Sequence, residues 1–385
     1  MIVIGEGGKG GRGLGRGVVY CIRGCKYLGT VAISTHILFI LKRREDFNPV
    51  KHNPKGLSTG LFNSASFMVD MLNRSGIRAS IEVAIDNNCI DRLVTMHKPT
   101  HVIVEALWVV PTKFAVLTEL HPTVKWIVRI HSEMPFMAGE GMAMNWIGDY
   151  ITNPNVYLGV NAPRMLDEVR TYTQVKTGYN NKQVKGKVMY LPNYYPQDYW
   201  APRGILRKKA WVDVGCFGAV RPLKNHLLQA FAALKFAKEV GKQLRFHINV
   251  GREEMKGQPV LHNLQGLFMQ LAETGHELIM HEWVPREQFL HLCRQMDIGM
   301  QCNFSETFNI VGADLVSQGI PLVATSEVPW SCGLFNADPT ESEHMAKALK
   351  LSYYFPDINV RLNQRNLTKY TNQTDNVWYK QFKTI

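Results

Sequence analysis

Short apolar runs alternate with amphipathic segments along this chain of 385 residues, and the alternation breaks once, at residues 193–209. Repeated strand–helix units predict parallel sheets that are covered by helices on both faces. The break is rich in proline, tyrosine and basic residues, which is typical of a linker. We therefore predict an α/β chain of two Rossmann-like, doubly wound domains, a number that the chain length also suits.

The pattern predicts six strands in the first domain, residues 35–192, and five in the second, residues 210–340. The strands of the first domain are 36–41, 80–85, 101–105, 125–130, 156–160 and 188–191. The strands of the second domain are 212–217, 245–250, 277–281, 298–301 and 321–324. Helical periodicity in the last segment, residues 341–385, is clearest at 344–354 and 377–382.

Two acids occupy the segment Cys302–Thr325, which reads CNFSETFNIVGADLVSQGIPLVAT. Glu306 stands before a small polar turn, and Asp314 lies on the amphipathic helix predicted to follow that turn. Free backbone N–H groups at the start of a helix, together with its dipole, can hold a phosphate. The amides concerned belong to Thr307, Phe308, Asn309 and Ile310. The segment therefore predicts a nucleotide-sugar site, with one carboxylate for sugar hydroxyls and the other for ribose hydroxyls.

The same segment resembles a signature of a known family. A Ser-Glu-x-Phe sequence, seven residues between the two acids and a Gly-x-Pro-Leu-Val strand resemble the retaining GT-B glycosyltransferases of the glycogen-synthase-like group (glycosyl transferases group 1). The general look of the chain, with its compact first domain, is similar to bacteriophage-encoded members. The second acid of that family is usually Glu, and Asp314 is one methylene shorter. Any βαβ unit of a doubly wound sheet is the alternative interpretation of this run.

A second segment, Trp211–His226, reads WVDVGCFGAVRPLKNH and resembles the Gly-Arg-Leu turn of the family, which has a Lys six residues after the glycine. Gly218 and Lys224 keep that spacing. The residue after the glycine is Ala219, so the arginine would be Arg221. The resemblance implies two catalytic cations that stabilise the negative charge of a departing diphosphate.

The sequences around two further positions are similar to those of the family. The segment EWVPREQFL is similar to its Gly-x-Val-Pro segment, which implies that backbone groups near Val284 pair with the nucleotide base. Trp283 could stack on that base, and a core tryptophan is the equal alternative. His131 follows the strand 125–130, which resembles the position of a histidine that contacts the donor sugar from the opposite domain.

The resemblance also implies an arrangement of the whole chain. The two domains of a GT-B fold face each other across a cleft, with the acceptor on the side of the first domain and the nucleotide sugar on the second. Residues 341–385 would then form helices that pack back toward the first domain. The loop Asn53–Gly60 supplies Gly56 and Gly60 before a helix, where acceptor or donor phosphate can approach the backbone closely. A plain surface loop is the equal alternative there.

Positive charge is concentrated at the start of the chain. The net charge is +12, and residues 1–60 hold ten lysines and arginines against three acids. Eight glycines and three basic residues between Gly5 and Gly17 predict that residues 1–34 are a flexible, basic leader. Lys42, Arg43 and Arg44 would lie at the rim of the cleft. This distribution favours an anionic partner such as nucleic acid, anionic lipid or acidic glycan.

The remaining composition narrows the function. Seven cysteines without paired spacing favour a reducing compartment. We therefore expect the protein in the cytoplasm, which is the host cytoplasm if the protein is phage-encoded. No Asp-x-Asp sequence occurs, so we expect no metal and no cofactor beyond the nucleotide-sugar co-substrate. The apolar run 27–41 is too short and interrupted for a membrane span, so no transmembrane segment is predicted.

We therefore predict a retaining, metal-independent glycosyltransferase that transfers a hexosyl or pentosyl group to a glycan, a protein or DNA. One alternative is a glycosyltransferase that acts on modified bases of phage DNA. Another is a non-catalytic nucleic-acid-binding protein with a vestigial sugar site. A sugar-nucleotide epimerase on the same fold is a third.

Overall fold

The computed structural model describes residues 35–42, 59–202, 209–252, 254 and 256–383. The predicted leader, Arg43, Arg44 and Gly56 lie outside the described residues. Both sheets belong to one compact unit.

Eleven strands are present in the described part of the chain, and every pairing between them is parallel. The first sheet has the order β2-β1-β3-β4-β5-β6, and the second has the order β11-β10-β7-β8-β9. The strands of the first sheet are β1 His36–Lys42, β2 Arg78–Ala84, β3 His101–Glu105, β4 Lys125–Ile130, β5 Val156–Val160 and β6 Val188–Tyr190. The strands of the second are β7 Trp211–Gly215, β8 Gln243–Asn249, β9 Glu277–His281, β10 Ile298–Gln301 and β11 Leu322–Ala324.

Helices connect successive strands and cover the sheets. In the first domain they are α1 Thr59–Arg74, α2 Cys89–His97, α3 Pro111–Leu120, α4 Met134–Met137, α5 Ala143–Thr152, α6 Pro163–Thr177 and α7 Asn181–Lys187. In the second domain they are α8 His226–Glu239, α9 Gly257–Gln270, α10 Arg286–Cys293 and α11 Ile310–Ser317. The chain closes with α12 Ser342–Tyr354 and α13 Pro356–Lys383. The helix α6 shows why such segments form, because proline occupies its first turn and Gly178, at φ +69°, ends it.

The central strands of each sheet are buried on both faces, as continuous apolar strands require. In the first sheet, one face packs Val102, Trp126 and Val128 against Phe114 of α3 and Tyr150 of α5. In the second sheet, one face packs against α8 and α12, and the other packs against α10 and α11.

The last helix joins the two sheets. With 28 residues, α13 is about 42 Å long at 1.5 Å per residue. Its early part contacts α11 and α12, while Trp378 packs on Phe39 of β1 with ring centroids 5.9 Å apart. The indole of Trp378 donates a hydrogen bond to the carbonyl of Pro192, 2.9 Å away, at the point where the chain leaves the first sheet.

Two sequence-based expectations about helices were wrong in detail. Gly60 does not precede α1 but lies in its first turn, because the helix begins at Thr59. The helix α11 is not amphipathic, since all residues from Gly312 to Ser317 are buried. It is enclosed by β10 and β11 on one side and by α10 and α13 on the other, so it has no solvent face of its own.

Candidate active site

A cleft of about 760 Å³ lies where the carboxyl ends of the two sheets meet. Segments that follow β1, β3 and β4 line it from the first domain, and segments that follow β7, β8 and β10 line it from the second. A smaller cavity of about 230 Å³, here called the second-domain pocket, shares Arg221 and Ile310 with the cleft and extends to Trp283 and Asp314. Open α/β sheets bind their ligands at this edge.

Glu306, which lines the cleft, forms an ion pair with Lys224, which lines the second-domain pocket. The carboxylate of Glu306 accepts hydrogen bonds from the ammonium of Lys224, from Asn303 Nδ2 at 3.0 Å and from Asn309 Nδ2 at 3.3 Å. Burial alone would raise the pKa of Glu306, but the charge and hydrogen bond of Lys224, with help from Arg221, hold it below its usual value. The lowered pKa keeps the carboxylate of Glu306 ionised at neutral pH.

Backbone geometry explains how Lys224 reaches this position. β7 ends at Gly215, and the chain turns through Gly218, whose φ of +122° is accessible to glycine without strain. A short 3₁₀ turn, Pro222–Lys224, then places the lysine before α8 begins at His226. Lys224 therefore lies beside the helix start and next to the acid.

The amides predicted to hold a phosphate follow Glu306 directly. In the described part of the chain, no acceptor takes the backbone N–H of Phe308, Asn309 or Ile310. The N–H of Thr307 differs, because it donates to the neighbouring carboxylate of Glu306 at 3.2 Å. Asn309 has a φ of +62° and caps α11 by accepting from Gly312 N at 2.7 Å. Three of the four predicted amides are therefore free to meet an anion.

Phe308 contributes its amide but not its ring. The ring is buried, with centroids 6.1 Å from Trp330 and 5.5 Å from Tyr370. The carbonyl of Phe308 also accepts from Trp330 Nε1 at 2.6 Å. This packing holds the turn between β10 and α11 in place.

Arg221 lies at the boundary between the cleft and the second-domain pocket. Its guanidinium pairs with Glu254 at 3.3 Å and stands 4.7 Å over the ring of Phe136, which belongs to the first domain. Arg221 and Lys224 both line the second-domain pocket, and Arg221 also contacts the first domain; a joint role for the two cations stays a prediction.

The second-domain pocket contains three of the predicted donor-binding residues, Gly218, Trp283 and Val284. Gly218 N donates to Asn249 Oδ1 at 3.0 Å, which fixes the glycine turn. The guanidinium of Arg252 lies 5.2 Å over the ring of Trp283, and among the described residues nothing accepts from the indole N–H. Trp283 is thus a half-buried wall of the pocket, with one polar atom unsatisfied.

Asp314 is buried at the base of the same pocket and already has partners. It accepts from the hydroxyl of Tyr195 at 2.8 Å and lies 2.8 Å from Arg286 Nη1. Burial raises the pKa of Asp314, and the charges and hydrogen bonds of its partners offset that only in part. Arg286 is in turn enclosed by aromatic rings, those of Phe67, Tyr195 and Tyr199. The sequence did not reveal these partners.

We expect Asp314→Asn to weaken donor binding by about 1 to 3 kcal/mol, with little change in kcat, if the carboxylate also binds ribose hydroxyls. Isothermal titration with the nucleoside diphosphate would measure this. Tyr195→Phe is the matched control, because it removes a partner of Asp314 without changing the pocket lining. An equal loss in Tyr195→Phe would show that the acid acts through packing alone.

His131 follows β4 and faces the Glu306 segment across the cleft. Its carbonyl accepts from the hydroxyl of Thr307 at 3.2 Å, and Asn161 Nδ2 donates to the same hydroxyl oxygen at 3.2 Å. The imidazole hydrogen-bonds Glu105 through Nε2 and lies 3.4 Å from Asn161 Nδ2 through Nδ1. Burial lowers the pKa of His131, and Glu105 counteracts this only partly. Both ring nitrogens are therefore engaged within the protein.

Gly60 and Lys42 complete the first-domain side of the cleft. A Cβ added at Gly60 would stand 3.5 Å from Ile310 Cγ2, an ordinary contact, so the glycine is not required for space alone. Within the described residues, no group of three or more His, Cys, Asp or Glu side chains is placed to hold a metal ion. None of the helices described is long and apolar enough to cross a membrane.

Comparison with known proteins identifies solved structures that have a similar fold. No protein-family model and no curated protein matches the chain. The N-terminal domain of trehalose-6-phosphate phosphatase from Candida albicans superposes with a TM-score of 0.65 at 10% identity, over 91% of this chain and 97% of that one. Sucrose-phosphate synthase from Thermosynechococcus elongatus gives 0.65 at 9% identity, over 91% and 100%. The catalytic domain of starch synthase IV from Arabidopsis thaliana, bound to ADP and acarbose, gives 0.63 at 9% identity, over 90% and 99%.

These similarities establish the class of fold. The chain has the two-domain, parallel-sheet architecture of GT-B glycosyltransferases, which confirms the predicted fold class. At identities near 10% the comparison concerns the backbone, and function has to be argued from the site.

Proposed function

We propose that this protein is a glycosyltransferase that transfers a sugar, with retention of configuration, from a nucleoside-diphosphate donor to a hydroxyl acceptor. The observation that carries the proposal is the contact between the Glu306 carboxylate and the Lys224 ammonium, beside the three free amides of Phe308, Asn309 and Ile310. This combination offers positive charge and N–H donors to a diphosphate, and a carboxylate to sugar hydroxyls. The ADP complex of the starch synthase catalytic domain, which shares the fold, supports a nucleotide ligand.

In this proposal, the groups of the cleft act on the charge that develops during the reaction. When the bond between the sugar and the diphosphate breaks, negative charge builds on the departing phosphate oxygen. Lys224 and Arg221 would stabilise that charge, and the free amides would hold the phosphates in place. Glu306 would orient the sugar by accepting hydrogen bonds from its hydroxyls. The acceptor would enter from the first-domain wall, where His131 and Gly60 lie.

The proposal is tested by incubating the protein with a panel of UDP, ADP, GDP and dTDP sugars. Mass spectrometry should detect release of the nucleoside diphosphate from at least one donor. NMR of the product should show the same anomeric configuration as the donor. An inverted product would overturn retention, and no release from any donor would overturn the proposed activity in favour of a binding protein. Interconversion of the donor sugar without release would favour the epimerase.

Donor turnover should persist in excess chelator, because side chains and amides, instead of a metal, meet the diphosphate charge. The expected result is an unchanged rate, within about twofold, after EDTA treatment and gel filtration. A rate that falls with EDTA and returns with magnesium would contradict metal independence. The same assay with added manganese provides the second control.

Transfer to DNA is a second candidate because Lys42, at the end of β1, lines the cleft. In the sequence Lys42 is followed by Arg43 and Arg44. If these residues contact DNA phosphates, binding should weaken by about 0.9 log unit per log unit of salt for each contact. Neutralising all three should lower the slope by about 2 to 3 and reduce transfer to DNA, with donor hydrolysis unchanged.

Fluorescence anisotropy of a labelled duplex, titrated at several salt concentrations, would measure that slope. A matched control neutralises three exposed lysines of α8 and α12 that lie outside the cleft lining, namely Lys235, Lys347 and Lys350. Equal effects of both triple variants would indicate a general charge effect. Absence of binding at low salt would eliminate the DNA acceptor and leave the glycosyltransferase proposal standing.

A further inference from the structure

A charged pair is buried in the first sheet directly beneath the cleft. Glu105 ends β3, Arg129 is its register partner on β4, and both residues are 0% exposed. Arg129 Nη1 lies 3.1 Å from Glu105 Oε1. Removing two charges from water is costly, so such a pair persists only where its remaining polar atoms are satisfied. The question is therefore what the other atoms of the pair bind.

The other N–H groups of Arg129 bind the chain where it leaves the first sheet. Nε donates to the carbonyl of Leu191 at 3.0 Å, and Nη2 donates to the carbonyl of Pro192 at 3.1 Å and to Asn193. The guanidinium also lies 5.2 Å over the ring of Trp378 in the last helix. These hydrogen bonds and the ring contact fix the guanidinium of Arg129, and Arg129 in turn fixes the carboxylate of Glu105.

The second oxygen of Glu105 hydrogen-bonds His131 Nε2. An ionised carboxylate can only accept, so the hydrogen of a neutral imidazole must be on Nε2. On the other side of the ring, Asn161 Nδ2 faces Nδ1 at 3.4 Å as a donor, which agrees with that tautomer. The pKa of Glu105 supports the ionised form, because Arg129 and His131 more than offset the effect of its burial.

We propose that Glu105 is a positioning residue, which holds the imidazole of His131 as the Nε2–H tautomer in one orientation. The backbone carbonyl of the same residue accepts from Thr307, the residue that follows Glu306, so the ring that Glu105 holds lies beside the contact between the two walls of the cleft. The proposal deepens the proposed function, since it assigns Glu105 a role in that site. Its first test requires no substrate.

Long-range ¹H–¹⁵N NMR distinguishes the two tautomers of a histidine ring, and a His131→Gln variant identifies the His131 signals. In the wild-type protein we expect a hydrogen-bearing Nε2 and a bare Nδ1. In Glu105→Gln, Arg129 should hold the single amide oxygen and leave the NH₂ group facing Nε2. The hydrogen of His131 should then move to Nδ1.

The matched control is Glu82→Gln. Glu82 also bonds a histidine, His97, through Nε2 at 2.8 Å, but at a partly exposed position on β2, the edge strand of the first sheet. This variant should leave the His131 signals unchanged. A wild-type His131 with its hydrogen on Nδ1, or a Glu105→Gln variant with the tautomer unaltered, would overturn the proposal. If Glu105→Gln does not fold, the tautomer of His131 in the wild-type protein alone decides the test.

Turnover supplies an independent measurement. We expect Glu105→Gln to slow turnover of the nucleotide sugar found in the donor panel by about tenfold or more. If Glu105 acts through His131, the same change should cause no further loss in a His131→Gln background. Additive losses would overturn the positioning role and leave the proposed function intact. Conversely, the expected tautomers without turnover of any donor would overturn the function and leave this inference standing.

Discussion

Replacing Glu306 with glutamine should lower donor turnover by about 10²-fold or more and leave the fold intact. The amide has the shape of the carboxylate but lacks its charge, so hydrogen bonds from sugar hydroxyls to this position weaken. Lys224 also loses its anionic partner, and with the amide oxygen in the place of Oε2, which accepts from Asn303 and Asn309, the NH₂ group would face the N–H of Thr307. The loss should appear in kcat, measured by release of the nucleoside diphosphate.

A matched control for this variant is Glu327→Gln. Glu327 is ion-paired with Arg164 and is not part of the cleft lining, so its replacement should change kcat by less than about twofold. Thermal unfolding of both variants should show that each remains folded. Wild-type kinetics in Glu306→Gln would demonstrate that the acid is structural and would remove the main support for the proposed function.

The strand positions could be predicted because buried parallel strands are short, continuous apolar runs. The predicted bounds of β3, β4, β5, β9 and β10 coincide with those observed. The prediction for β7 extended two residues too far, to Phe217, because Cys216 and Phe217 are apolar and buried yet belong to the turn that leads to Gly218. Apolar character identifies burial and cannot by itself separate a strand from the packed turn after it.

The last helix shows where periodicity fails. The pattern predicted a helix only at 377–382, whereas α13 begins at Pro356. Its buried face carries polar residues over the first five turns, among them Asn359, Asn363 and Thr371. Asn359, for example, is buried because it bonds the backbone N–H and carbonyl of Leu322 at 2.9 Å each. A helix that buries amides against backbone groups lacks the apolar stripe that sequence reasoning requires.

The candidate site was predictable as far as strand ends could be located. His131, Gly218, Lys224 and Glu306 all follow strands, and parallel sheets bring those ends to one edge. Their roles remain predictions, as do those of the predicted base-binding and ribose-binding residues. The pairing of Asp314 with Arg286 could not be predicted from the sequence, because it depends on how α10 packs against α11 and not on spacing along the chain.

The variant Lys224→Met should reduce turnover by about 10² to 10³-fold, since it removes the positive charge that is proposed to meet the departing diphosphate. It should also change the pH dependence. Burial favours the protonated form of Glu306, and Lys224 is the largest influence that opposes it. Without the lysine the pKa of Glu306 should rise, so the carboxylate is lost at a higher pH as the solution is acidified.

The acidic limb of the kcat/KM profile should therefore move to higher pH in Lys224→Met, and it should stay in place in Lys224→Arg, which keeps a cation beside the acid. Lys235→Met is the matched control, because that lysine is exposed and pairs with Glu343 away from the cleft. A fall in turnover with an unshifted acidic limb would mean that Lys224 acts on the diphosphate alone. A shifted acidic limb with near-normal turnover at high pH would instead mean that the lysine serves mainly to keep Glu306 ionised. The charge of the diphosphate would then have to be met by Arg221 and by the amides that follow Glu306.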